Sequence, residues 1–397
     1  MIQLSDRLQA MEESATIAMS RKSRELKEEG KDVISLSLGE PDFNTPDFIK
    51  EAAQKAMEDN YTSYTPVPGY DDLREAIAEK FLRDNGLKYN KNQIVVSTGA
   101  KQSIANVVMS LVNPGDEVII PAPYWVSYIE IVKVAGGIPV VVHADLASDF
   151  KVSGDQLAPH ISEKTKLIMF STPCNPTGSV YSKEELRGIA DTVARHKHVI
   201  VLCDEIYEHI NFIGKHESLA QFEEIYDQVV TVNGVSKAWA MTGWRLGYIG
   251  APATIAEACN KVQGQFTSGT CSITQRASIA AMKKDPSYLK DMLKAFENRR
   301  ALVLKALQNM DGVKVNEPEG AFYFFPDISS FFGKSYGKFN IENATDLSLY
   351  LLEEALVAVV TGDAFGDNNC IRISYATNEE ILAKAMDRIA GALKKLK

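Results

Sequence analysis

At 397 residues the chain is too long for one small core, and two or three domains are expected. Its composition, 45% hydrophobic and 24% charged, is that of a folded protein and excludes extensive disorder. A formal net charge of -9 argues against a broad nucleic-acid surface but not against anionic small molecules, because a few cations in a cleft outweigh a diffuse surface charge.

The first residues lack the basic stretch and apolar core of a secretory leader. No run approaches the ~18 apolar residues of a membrane span, so the expected compartment is the cytoplasm, with no membrane partner. A helical stretch over 7–29 precedes the extended run VISLSLGEPDF. From there β-rich runs at 93–97, 117–120, 138–142, 167–170, 199–203, 229–232 and 248–249 alternate with helical patterns such as 101–111, 183–194 and 255–266. Such alternation predicts an α/β fold, a mainly parallel sheet covered by helices. VIVLC is apolar at every position, as expected of a strand buried on both faces. After about residue 285 the character changes: a long amphipathic helix over 288–309, then GVKV, AFYFF, a helix from 345, VAVV, CIRISYA and a final helix. The expected division is an N-terminal segment, 1–45, packing with a small α+β domain, 286–397, and a large domain over 46–285. The five cysteines are scattered and form no CxxC or Cys/His cluster, so neither a zinc site nor a disulfide framework is expected.

Three strand ends carry chemistry, because open α/β sheets bind ligands outside the carboxyl ends of their strands. The run 167–170 leads into STPCNPTG and Asn175, 199–203 into DEIY with Asp204 and Tyr207, and 229–232 into NGVSK with Ser236 and Lys237. Singly, each has a plain explanation: turn chemistry for Asn-Pro, a helix cap for Asp204, a solvated amine for Lys237. Together they are the set that pyridoxal 5′-phosphate (PLP) chemistry requires. An amine must form an imine with the aldehyde, a carboxylate must keep the pyridine nitrogen protonated, and donors must fix the phenolic oxygen. The same amine then moves a proton as general base and acid. Arg245 in MTGWRLGY and the Gly99-Ala100-Lys101 step, where a strand turns into a helix, are anion-site cues.

Taken in order, LGEPDF, SxxxNPTG, CDEIY, SK with MTGWRLGY, and IRISYA resemble the class I aminotransferases of PLP fold type I, nearest the bacterial aspartate/prephenate subgroup. The resemblance runs from residue 38 to Arg372. It implies a seven-stranded large domain, Lys237 as the Schiff-base lysine, Asp204 as the pyridinium partner, and Tyr207 with Asn175 on the phenolic oxygen. Arg245, Ser236 and the Gly99–Lys101 backbone would hold the phosphate. Tyr64 would be lent to a neighbouring subunit's phosphate, making the protein a homodimer with shared sites. Trp125 would stack on the ring and contact substrate. Arg372 would bind the substrate α-carboxylate, assisted by Gly39 and Asn175. Many relatives place a hydroxyl three residues before the lysine, where this chain has Gly234.

The resemblance also implies a substrate. The partner arginine of the animal-type aspartate enzymes has no counterpart in KVQGQFTSGTCSITQ, whereas Lys101 in GAKQ matches the bacterial subgroup's lysine for the distal carboxylate. A cation in the first turn of a helix opposes the helix dipole unless an anion is near, which favours the same reading. Thr267, Ser268 and Thr270 are expected to add hydroxyls, Glu12 to sit in a segment closing over substrate, and Phe322 and Tyr323 to form an apolar lid. The expected reaction is ping-pong transamination of aspartate with 2-oxoglutarate, with prephenate or aromatic activity open. The alternative is a PLP-dependent lyase or synthase on the same fold.

Overall fold

Seven apolar runs pair into one sheet. β1 (Ile94–Ser97), β2 (Glu117–Ala122), β3 (Ile138–His143), β4 (Thr165–Ser171), β5 (Ile200–Asp204), β6 (Val229–Gly234) and β7 (Gly247–Gly250) stand in the order β1-β7-β6-β5-β4-β2-β3. Only β7 runs antiparallel to its neighbours. The computed structural model describes residues 4–9, 11 and 14–397.

Successive side chains of a strand point to opposite faces, and here both faces are apolar. Val118, Ile120, Leu167, Met169 and Leu202 enter one core, with Ile104 and Val107 of helix Ala100–Leu111 and Ile255 of helix Ala253–Phe266. The alternate residues Ile119, Ile168, Phe170, Val201 and Cys203 enter the other, with Leu186 and Ile189 of helix Lys183–Ala194. That helix starts where its sequence says it should: Ser182 accepts from the Glu185 amide, and Glu185 accepts from the Ser182 amide.

A second, smaller unit holds the antiparallel sheet β9-β10-β8, built from β8 (Tyr323–Phe324), β9 (Val360–Thr361) and β10 (Ile371–Ser374). Helices Lys290–Gln308, Ala344–Glu354 and Glu379–Leu393 accompany it. The strand Ile34–Ser35 pairs in parallel with Val357–Ala358, so a segment from the start of the chain is stitched to its end. Three expectations fail in detail. The helical stretch 7–29 is two helices, Asp6–Gln9 and Ala15–Glu28. GVKV makes a single bridge, Lys314 with Asp327, not a strand. VAVV divides between two sheets, Val357–Ala358 pairing with Ile34–Ser35 and Val360–Thr361 with β10.

The sheet's register sets up the site. Ser171 at the end of β4 lies beside Asp204 at the end of β5, which lies beside Val232 of β6.

Candidate active site

The turns leaving β4, β5 and β6 open on one cavity of ≈ 270 Å³. Gly39, Ala100, Lys101, Trp125, Asn175, Asp204, Tyr207, Ser236, Lys237, Arg245 and Arg372 all line it. Lys237 donates to the Gly39 carbonyl at 2.6 Å. Burial, and then the Arg372 charge, lower its pKa to about 8, so an appreciable fraction is neutral, nucleophilic amine near pH 7. Asp204 is buried, which pushes its pKa up to about 6. Two donors oppose that shift by holding the carboxylate form: the Tyr128 hydroxyl at 3.0 Å and the Ile206 amide at 3.2 Å. The Ile206 contact is the local turn that a bland reading of Asp204 anticipates; the Tyr128 contact is not.

Arg372 is 2% exposed. One guanidinium nitrogen donates to Asn175 Oδ1 at 3.0 Å and the other to the Ser37 carbonyl, while Nε has no partner among the described residues. The Tyr323 and Phe365 rings flank it at 4.7 and 4.9 Å. No carboxylate among the described residues pairs with it. Asn175 therefore spends its oxygen on Arg372 and keeps its amide nitrogen to donate. Gly39 spends its carbonyl on Lys237 and keeps its N–H. The Tyr207 hydroxyl lies 2.7 Å from that of Tyr323.

The other end of the cavity suits an anion. Ala100 opens a twelve-residue helix, and free N–H groups there carry partial positive charge. Gly99 has φ +86°, and a Cβ on it would lie 2.3 Å from Arg245 Nη2. A Cβ on Gly247 would lie 2.2 Å from the Ala100 nitrogen. Both positions need glycine so that the guanidinium and β7 can close on the helix end. Arg245 has φ +55° and is anchored by its bond to the Thr242 carbonyl at 2.8 Å. Lys101 rests 5.0 Å from the Trp125 ring, its pKa lowered by burial and then by Arg245. At Gly234 a Cβ would lie 2.9 Å from the Leu246 carbonyl oxygen, so close strand packing accounts for the missing hydroxyl.

Some residues singled out in the sequence lie elsewhere. Tyr64 is fully exposed and away from the cavity of its own chain. Gly99 stands behind the lining, against Arg245. Thr267 accepts from Gln102 at 2.6 Å, and Thr270 lines a neighbouring depression that also touches Arg245. Ser268 lines neither. Phe322 is wholly buried behind the wall, so only Tyr323 of that pair faces the cavity. Glu12 falls outside the described residues. Conversely, sequence reasoning passed over Tyr128 and Ser171, the Tyr207–Tyr323 contact, and the N-terminal Ser14, Thr16 and Ile17, which also line the cavity. Nothing in the sequence around Tyr128 pointed to it: Trp125 lies before the helix Ser127–Ala135 that carries Tyr128, so the two share no helix face.

On the far side of the same turn, Asp84, Glu208 and His209 bring three metal-type ligand atoms within 4.8 Å of one another. Lys80 already supplies a cation there, bonded to Glu208 and 3.7 Å from Asp84.

The family described as aminotransferase class I and II matches residues 31–389. A Petunia hybrida protein, bifunctional aspartate aminotransferase and glutamate/aspartate-prephenate aminotransferase, is 46% identical over 401 residues, covering 100% of this chain and 84% of that protein. The aspartate/prephenate aminotransferase of Cereibacter sphaeroides is 46% identical, with 97% of each chain covered. Among solved structures, the aspartate aminotransferase of Rhizobium meliloti superposes with a TM-score of 0.96 at 42% identity, covering 100% of both chains. That of Thermus thermophilus with maleate gives 0.93 at 39%, covering 99% of this chain and 100% of that one.

Proposed function

The chain belongs to the class I and II aminotransferases, and on that premise we propose that it is a PLP-dependent enzyme moving the amino group of an acidic L-amino acid. The first-choice pair is aspartate with glutamate/2-oxoglutarate. The carrying observation is one cavity in which a neutralisable lysine, a buried carboxylate and a buried guanidinium with no carboxylate partner among the described residues face each other. The donor set fits the cofactor: an amine for its aldehyde, a carboxylate for its ring nitrogen, and a glycine-lined helix end with an arginine for its phosphate.

When bound, the cofactor supplies an electron-accepting ring that stabilises negative charge at the substrate's α-carbon. Lys237 would hold it covalently and, as general base and acid, would take and return the substrate's α-proton. Asp204 keeps the ring nitrogen protonated. Tyr207 and the Asn175 amide would donate to the phenolic oxygen, and Trp125 would lie against the ring. Ser236, Arg245 and the N–H groups of Ala100 and Lys101 would take the phosphate, the Gly99 N–H being already bonded to the Ser97 carbonyl. Arg372 grips the α-carboxylate bidentately, with the Gly39 N–H beside it. Lys101, on the rim against Trp125, takes the distal carboxylate. Donor and acceptor occupy this pocket in turn, which is ping-pong behaviour. Tyr64 points away from its own site because it serves a second subunit in a homodimer, and the enzyme works in the cytoplasm. The names of the relatives favour aspartate and extend the reading to prephenate as an amino acceptor. The far cluster at Glu208 is structural.

The test follows cofactor absorbance. Borohydride reduction of the PLP-loaded protein and peptide mapping should find the label at Lys237. Aspartate should convert the cofactor to its amine form, and 2-oxoglutarate or prephenate should restore it. A label elsewhere, or loss of a β-substituent in place of amino transfer, overturns the reading, the second in favour of a lyase.

A further inference from the structure

The hydroxyl on Asp204 is the detail that the roles above leave unused. Tyr128 is wholly buried, sits in the first turn of helix Ser127–Ala135, and meets Trp125 edge-to-face with ring centroids 5.5 Å apart. Its hydroxyl donates to Asp204 Oδ2, from a residue 76 positions away in sequence. The other carboxylate oxygen accepts the Ile206 amide. Both oxygens are thus pinned by donors, and each keeps one lone pair free.

From this geometry we infer that Tyr128 is a positioning residue, the donor that keeps Asp204 ionised and fixes the plane in which its carboxylate meets a protonated ring nitrogen. The inference rests on the reading above. A phenol whose own ionisation burial drives well above its usual range stays a donor throughout the working pH range. A permanent donor selects the ionised carboxylate over the neutral acid. The groups facing Asp204 are Tyr128, the Ile206 amide and Lys237, with Glu205 next in the chain adding repulsion. Tyr128 is thus the donor that substitution can remove without touching Lys237.

Tyr128→Phe deletes one oxygen and keeps the ring. PLP dissociation constants of wild type and variant are measured from pH 5.5 to 8.5 by the absorbance of the bound cofactor. Both chains are melted first to establish that the variant folds. We expect weaker binding by about tenfold or more, the effect of losing a hydrogen bond to a charged group. The deficit should grow as pH falls, because Asp204 without its donor protonates at higher pH. In an Asp204→Asn background, where there is no charge to hold, adding Tyr128→Phe should change affinity by less than about twofold. A deficit equal at every pH, or one that persists in the Asp204→Asn background, would assign Tyr128 to packing and overturn the inference. So would an unchanged affinity. Failure of the wild type to take up PLP would instead sink the proposed function, which keeps the two failures apart.

Discussion

Replacing Arg372 by methionine separates the stability of the site from its use. The guanidinium is 2% exposed, its partners are one amide oxygen and one backbone carbonyl, and no carboxylate among the described residues offsets its charge. Removing a buried charge that lacks a counter-ion relieves a desolvation penalty of several kcal/mol. Against that, Asn175 Oδ1 and the Ser37 carbonyl each lose a donor, at about 1–3 kcal/mol apiece. The two nearly cancel, so Arg372→Met should melt close to wild type. Function should not survive. A bidentate grip is two charge-assisted hydrogen bonds, each about 1.5–3 kcal/mol, so kcat/KM for aspartate should fall about 10²- to 10⁴-fold. An unreactive dicarboxylate such as maleate gives a readout free of turnover. At a hundred times its Kd a ligand stabilises by about 2.7 kcal/mol, which raises the melting temperature of a chain this long by about 3 °C. Calorimetry on the PLP-loaded proteins should find that shift in wild type and none in the variant. A variant that keeps the full maleate shift, or loses less than about tenfold in kcat/KM, would refute Arg372 as the carboxylate anchor.

The lowered Lys237 pKa predicts that PLP capture by the empty protein accelerates with pH and levels off above about 8, with none in Lys237→Ala; stopped-flow traces flat from pH 6.5 to 9 would contradict this. Lys101→Gln should cost aspartate about ten- to hundredfold in kcat/KM while leaving a monocarboxylic donor within about threefold; equal losses for both would deny it the distal carboxylate. Asp204, raised from 3.8 to about 6 by burial, binds its proton more tightly folded than unfolded. The empty wild type should therefore lose stability relative to Asp204→Asn as pH rises through that interval, by about 3 kcal/mol once above it; urea titrations at pH 4 and 7 that show no such divergence would contradict the assignment. Gly234→Ser should restore the hydroxyl common in relatives yet destabilise by about 1–3 kcal/mol without tighter PLP binding, because its Cβ would meet the Leu246 carbonyl oxygen at 2.9 Å; a stable variant with improved affinity would show that the strands can yield.

All seven strands of the large sheet were legible because runs such as VIVLC are apolar at every position, a pattern imposed by burial on both faces. The strand ends were legible for a related reason. A polar residue at or shortly after the end of such a run sits at the carboxyl edge of the sheet, so Asp204 and, a short turn beyond its strand, Lys237 stood out. Tyr128 and the Tyr207–Tyr323 contact did not, because what defines them is a partner 76 or 116 residues away, and a buried tyrosine in an apolar stretch looks like core. VAVV misled for the opposite reason: two-residue strands serving two sheets carry no period of their own. GVKV reads as a strand from composition, yet its backbone finds only Asp327 to pair with.

One feature of DEIYEH separates site from frame. The run alternates sides: Asp204 and Tyr207 face the cavity, while Glu205 and Glu208 face the other way into a buried polar network. There the charge on Glu208 is answered. Lys80 bonds Glu208, Asn85 donates to the second Glu208 oxygen at 2.8 Å, and Ser218 donates to Glu205 at 2.6 Å. Arg299, 8% exposed, is likewise closed by a two-pronged contact to Asp42 at 2.7 and 2.9 Å. In the cavity the same kinds of group are left incomplete: Lys237 has a carbonyl, Asp204 a phenol and an amide, Arg372 two carbonyl oxygens, and none has an opposite charge within ion-pair distance among the described residues. A buried charge without its counterpart costs stability unless something else completes it. On the proposed reading, the frame carries its own counter-ions, whereas the site keeps three places that ligand groups complete: an aldehyde that removes the lysine's charge, a pyridinium for the carboxylate, and a substrate carboxylate for the guanidinium.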